Sequence, residues 1–135
     1  MSYVLAFLSV FLSPSNKYSL TVEVKNVPNN KGTVYVGLFR PQDEWPTYGK
    51  QFKGKVVSAV KGKTMVTFTG LSSGKYALAV YHDENKNNKL DKNLVGMPTE
   101  IYGFSNNARA TFSAPEFSDA QITLTKSMTH SILLK

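Results

Sequence analysis

The sequence predicts an all-β fold, an antiparallel β-sandwich of about seven strands. Three observations carry this. From Tyr18 onward, apolar and polar residues alternate with a period of two. Clusters of Pro, Asn and Gly interrupt the chain at short intervals, and no apolar helical period persists beyond about two turns. Aromatic residues supply 12% of the chain, with 8 Phe, 7 Tyr and 1 Trp, and rings with β-branched residues suit half-buried pleated surfaces.

The first element is the apolar run Val4–Leu12. It is too short to cross a bilayer as a helix, which takes about 20 residues, so no transmembrane span is expected. Its length and the small residues Ser13 and Ser15 behind it match a signal-peptide core. Residues 1–16 therefore read as a signal peptide, which implies a periplasmic or secreted protein. No Lys or Arg precedes the run and no Ala-x-Ala cleavage pattern follows it. A hydrophobic strand or helix packed on the domain is the other reading. Residues 17–135 form one domain, because 135 residues leave no room for a second independent core.

Tyr18, Leu20, Val22 and Val24 alternate with Ser19, Thr21, Glu23 and Lys25, the pattern of a strand with one wet face. Pro28-Asn29-Asn30-Lys31-Gly32 is turn chemistry, and Thr33–Phe39 reads as a second strand paired antiparallel with the first. Pro41, Trp45, Pro46, Gly49 and Gly54 predict a long ordered loop or short helical turn over 40–54. Val56–Val60 and Thr64–Thr69 flank Lys61-Gly62-Lys63 and read as a hairpin. Gly70–Gly74 turns the chain into Lys75–Tyr81, the most apolar strand and a central one. After a polar stretch at 82–108, strands are expected at Gln121–Thr125 and Ser131–Leu134.

His82-Asp83-Glu84-Asn85-Lys86-Asn87-Asn88-Lys89-Leu90-Asp91 is the segment richest in chemistry. Oxygen-bearing side chains recur at Asp83, Asn85, Asn87 and Asp91, with the Lys89 carbonyl between them. In a tight loop, alternate side chains converge on one point, and hard cations such as calcium take six to eight oxygens, roughly the layout of the first half of an EF-hand loop. Asn88 stands where that loop has Gly, and Leu94 where it has a bidentate Glu. Glu84 or Glu100 completes the shell if the fold returns either one. The competing reading is an Asx-rich turn whose side chains bond the backbone.

Gly70–Ala77, His82–Asn85, Leu90-Asp91 and Gly96–Asn107, in that order, resemble the bacterial domain-of-unknown-function family 2141. The resemblance covers roughly residues 18–135. It implies an exported bacterial protein with a sandwich similar to transthyretin-like or carboxypeptidase-regulatory domains, and no assigned activity. Asn88 departs from the family's usual Gly in the acidic loop, and Thr99 from a frequent Lys.

Within Gly96–Asn107, Gly96, Pro98 and Gly103 force a defined path and Tyr102 and Phe104 can pin it to the core. Glu100, Tyr102, Phe104, Ser105 and Asn106 together offer the ingredients of a small polar or sugar site. A loop capping one end of the sandwich is the simpler reading.

Zero cysteines exclude thiol catalysis, disulfides and cysteine-ligated metal. The only histidines are His82 and His130, and no serine sits on a nucleophile elbow. His82 beside Asp83, or Glu100 with Asp83 or Asp91, are the only catalytic pairings in view, and an enzyme is not expected. Net charge is +7, with Lys50, Lys53, Lys55, Lys61, Lys63 and Lys75 in a stretch free of Asp and Glu. That stretch is either a solvated surface or a contact for an anionic lipid or polymer. Nucleic acid is not an expected partner, since no aromatic-and-basic RNA motif or DNA-reading helix is present. The expectation is a non-enzymatic binding or accessory domain meeting a protein or carbohydrate at the cell envelope, with calcium ordering 83–91. The alternative is a cation-independent adhesion domain using the lysine-rich segment 50–63.

Overall fold

The computed structural model describes residues 16–85, 100–110 and 113–135, and within them the chain is a two-sheet sandwich. Eight strands are present among the described residues: β1 (Lys17–Val27), β2 (Thr33–Phe39), β3 (Lys53–Ser58), β4 (Gly62–Ser72), β5 (Gly74–Asp83), β6 (Tyr102–Phe104), β7 (Ile122–Leu124) and β8 (Met128–Leu133). One sheet runs β4-β1-β8, the other β3-β2-β5-β6, with β7 pairing the start of β5. A single helical turn, α1 (Phe117–Ala120), precedes β7.

The alternation in β1 decides which face is buried. Leu20, Val22 and Val24 are wholly buried and meet Val34, Val36 and Leu38 of β2 and Leu78 and Val80 of β5 in one core. The outward residues pair across the first sheet: the Thr21 and Thr67 hydroxyls lie 3.1 Å apart, and Glu23 accepts from Ser131 at 2.9 Å. That bond holds the Glu23 carboxyl below its usual range, helped by Lys25 and Lys63.

Two expected pairings are corrected. β1 and β2 lie in different sheets: β1 runs antiparallel to β4 and parallel to β8, while β2 pairs β3 and β5. Lys61-Gly62-Lys63 likewise joins strands of opposite sheets and closes no hairpin. In both cases the turn carries the chain across the core, because each strand buries one face against the other sheet. β5 is central, as its apolar run predicts, lying between β2 and β6. Residues 40–52 are a looped segment, with Arg40 bonded to Asp43 through backbone and guanidinium.

That loop covers the outer face of the second sheet. Trp45 stacks edge-on against Phe39, Phe104 and Phe117 and donates its indole N–H to the Pro115 carbonyl at 2.8 Å. A second apolar cluster of Ala77, Phe104 and Ala120 forms beneath it.

Candidate functional site

At one end of the sandwich, β5 hands the chain to segment 86–99, which lies outside the described residues. The alternation that buries Val80 also buries His82, which is fully enclosed. Its Nε2 lies 2.6 Å from the Lys31 carbonyl oxygen. A carbonyl only accepts, so Nε2 carries the proton, and in the neutral ring the lone pair sits on Nδ1. Nδ1 has no hydrogen-bond partner among the described residues and lies 3.8 Å from Glu84 Oε1.

The two ends of the segment are tied together. The Glu84 backbone N–H donates to Glu100 Oε2 at 3.1 Å, and the His82 N–H donates to the Ile101 carbonyl at 3.0 Å. Asn29 braces this neck from the β1–β2 turn, donating from Nδ2 to Glu84 Oε1 at 3.0 Å while its Oδ1 accepts the Lys31 N–H at 2.8 Å. Gly32 makes the close approach feasible: its φ is +68°, and a Cβ there would collide with the Asp83 carbonyl. Pro28, His82, Glu84, Glu100 and Ile101 line a cleft of about 210 Å³ at this neck.

Of the expected calcium ligands, Asp83 and Asn85 are described, whereas Asn87, Lys89 and Asp91 lie outside the described residues. Asp83 is buried at 1% exposure, and Asp83, Asn85 and Glu100 each have interactions within the protein. Among the described residues, no three His, Asp or Glu side chains stand as a preformed metal-binding set.

The residues grouped as a ligand loop separate. Glu100 is at the neck. Tyr102 and Phe104 belong to β6, paired with Tyr81 and Ala79, where a loop was expected. The Arg109 guanidinium lies 4.1 Å from the Tyr102 ring centroid and donates to the Tyr102 and Lys135 carbonyls. Ser105 is wholly buried, its Oγ accepting the Leu78 N–H at 2.9 Å and donating to the Ala120 carbonyl at 2.5 Å. Asn106, at φ 60°, donates its backbone N–H to His130 Nε2 at 3.1 Å and its amide to the Gln121 carbonyl at 2.8 Å. Burial holds the His130 ring below its usual range.

The lysine-rich segment forms a distinct surface. β3 is an edge strand, with Lys53 and Lys55 opposite the buried Leu38 and Val36. The Lys55 ammonium reaches over the rim to 5.9 Å from the Phe68 ring. Lysines set into the inner register of an edge discourage pairing with another strand. Phe52 and Val56 are exposed beside them, as are Val60 and Met65 farther along the chain. Nearby, the Tyr35 ring stacks on Tyr48 and Tyr81, both at 5.1 Å. The hydroxyls of Tyr35 and Tyr81 are buried without a partner among the described residues, and burial pushes both phenols up.

Compared with known proteins, residues 22–132 match the sequence model of a family described as "Uncharacterized protein conserved in bacteria (DUF2141)". No curated protein and no solved structure matches the chain.

Proposed function

On the premise that the chain belongs to this family of bacterial proteins, we propose that it is an exported, non-catalytic binding or accessory domain whose contact surface lies at the neck of segment 86–99. Calcium orders the loop at 83–91, with Asp83, Asn85, Asn87, the Lys89 carbonyl and Asp91 supplying oxygens. The observation that supports this is the bond from the Glu84 N–H to Glu100. Through it, whatever orders the loop also fixes Glu100 and the adjoining β6. The non-catalytic part of the reading rests on roles already filled. Ser105 is bonded to backbone on both sides, and the Nε2 atoms of both histidines are engaged.

Thermal unfolding after chelation, followed by calcium titration, tests the calcium step. A site of extracellular strength has a dissociation constant of about 0.1–1 mM. For the weak end of that range, about 10 mM calcium adds about 1.4 kcal/mol, which raises the midpoint of a domain this size by about 4–6 °C. Asp91→Ala removes the rise; it is a cleaner variant than Asp83→Ala, because buried Asp83 has a structural cost of its own. No rise across that range would sink the calcium step.

A second reading is favoured by the exposed Phe52 and Val56 among the lysines of edge strand β3. Here the domain meets an anionic envelope surface without a cation. Binding to anionic vesicles that falls steeply with salt supports this reading, and salt-independent binding counts against it.

A further inference from the structure

We propose that the cleft at the neck binds one borderline divalent transition metal of the zinc class, through His82 Nδ1 and the Glu84 carboxylate, with Glu100 as third ligand. This goes beyond the calcium reading: it uses a different ion and residues that are all described.

The first argument is the state of His82. Its ring is fully buried and lines the cleft, its Nε2–H is committed to the Lys31 carbonyl, and its buried Nδ1, 3.8 Å from Glu84 Oε1, has no hydrogen-bond partner among the described residues. Buried polar atoms left unpartnered are uncommon and each calls for a physical reason. A metal-binding imidazole has this arrangement, one nitrogen donating to a carbonyl so that the other points its lone pair at the ion.

The second argument is Glu84. Its Oε1 lies 3.8 Å from His82 Nδ1 and accepts from Asn29, the type of outer bond that orients ligating carboxylates. Two ligand atoms each about 2.1 Å from a tetrahedral ion are about 3.4 Å apart. The pair therefore needs to close by only about 0.4 Å to grip one. The Glu84 side chain is 46% exposed. Glu100 lines the same cleft and is held to the Glu84 amide, so it approaches from the far end of segment 86–99. The three groups are not a preformed set; closure on the ion assembles them, with water in the remaining position.

The donor chemistry chooses the metal class. Calcium takes oxygens, whereas imidazole with carboxylates suits zinc and its neighbours. With no cysteine in the chain, thiolate does not compete.

The test uses the untagged full chain, stripped with chelator and titrated with zinc sulfate while the unfolding midpoint and the imidazole NMR signals are followed. One zinc per chain is expected, with the metal-induced shift at His82 Nδ1 and His130 unmoved. Glu84→Gln keeps a carbonyl acceptor for Asn29, so the fold stands while zinc affinity falls tenfold or more. Asp91→Ala leaves zinc binding intact and separates this site from the calcium reading. No uptake at about 1 mM zinc, uptake that survives Glu84→Gln, or a shift centred on His130 would each overturn the proposal.

Discussion

Replacing Ser105 with Ala tests whether the polar residues after β6 serve the fold. β5 pairs β7 over Gly74–Tyr76 and β6 over Ala79–Tyr81, which leaves a gap in the ladder between them. Ser105 fills it: its Oγ accepts the Leu78 N–H and donates to the Ala120 carbonyl, and all three residues are fully buried. Alanine orphans a buried donor and a buried acceptor, each at about 1–3 kcal/mol, for an expected loss of about 2–6 kcal/mol. Against a typical total of about 5–15 kcal/mol this is large. In urea, with a slope of about 1.5 kcal/mol per molar, the midpoint falls by about 1–4 M at unchanged slope. Hydrogen exchange at the Leu78 amide should accelerate in step. A loss below about 0.5 kcal/mol would refute the reasoning, because such a cost fits only an exposed polar side chain.

Two further outcomes follow from buried groups. Tyr35→Phe should leave stability unchanged or raise it by up to about 1 kcal/mol, since the hydroxyl is buried without a partner among the described residues; a urea midpoint implying a loss above about 1 kcal/mol would show that the hydroxyl is bonded. Burial holds His130 below the ordinary imidazole value of 6.5, so the unfolded chain takes up that proton first. Its contribution is complete above pH 6.5 and declines as pH falls toward the folded value. Wild type should therefore lose stability relative to His130→Gln on acidification, by at most about 1.4 kcal/mol per pH unit. Parallel pH profiles of the two proteins would contradict this.

Strand identity was legible where burial writes a period into the sequence. Tyr18–Val24 alternates because one face of β1 meets the core, and Lys75–Tyr81 is apolar because β5 is central. Partners were not legible. The spacing of β1 and β2 fits a hairpin as well as a crossover, and the choice is made by Val34, Val36 and Leu38 packing against β1 from the opposite sheet. The start of β3 was hidden because Lys53, Gly54 and Lys55 carry little strand preference. β6 spans only three residues, too few to show a period.

The site was half legible, for the same reason. Alternating oxygens at 83–91 are a sequence signal, whereas completion of a cation shell by Glu84 or Glu100 depended on the fold; the structure brings Glu100 to the Glu84 amide. The burial of His82 was missed, although its position continues the inward register of Leu78 and Val80. A titratable ring in that register has to meet another polar group inside the protein, and here Lys31 supplies one for Nε2 alone. Asp83, Glu84 and Glu100 bring three of the nine acidic residues of a basic chain to this one end. A cation bound at this neck would fasten both ends of the segment, which the Glu84–Glu100 bond already ties together. Asp91→Ala and Glu84→Gln therefore ask one question in two places: whether the acidic end of the sandwich is closed by a hard ion on the loop, by a borderline ion at His82, or by both.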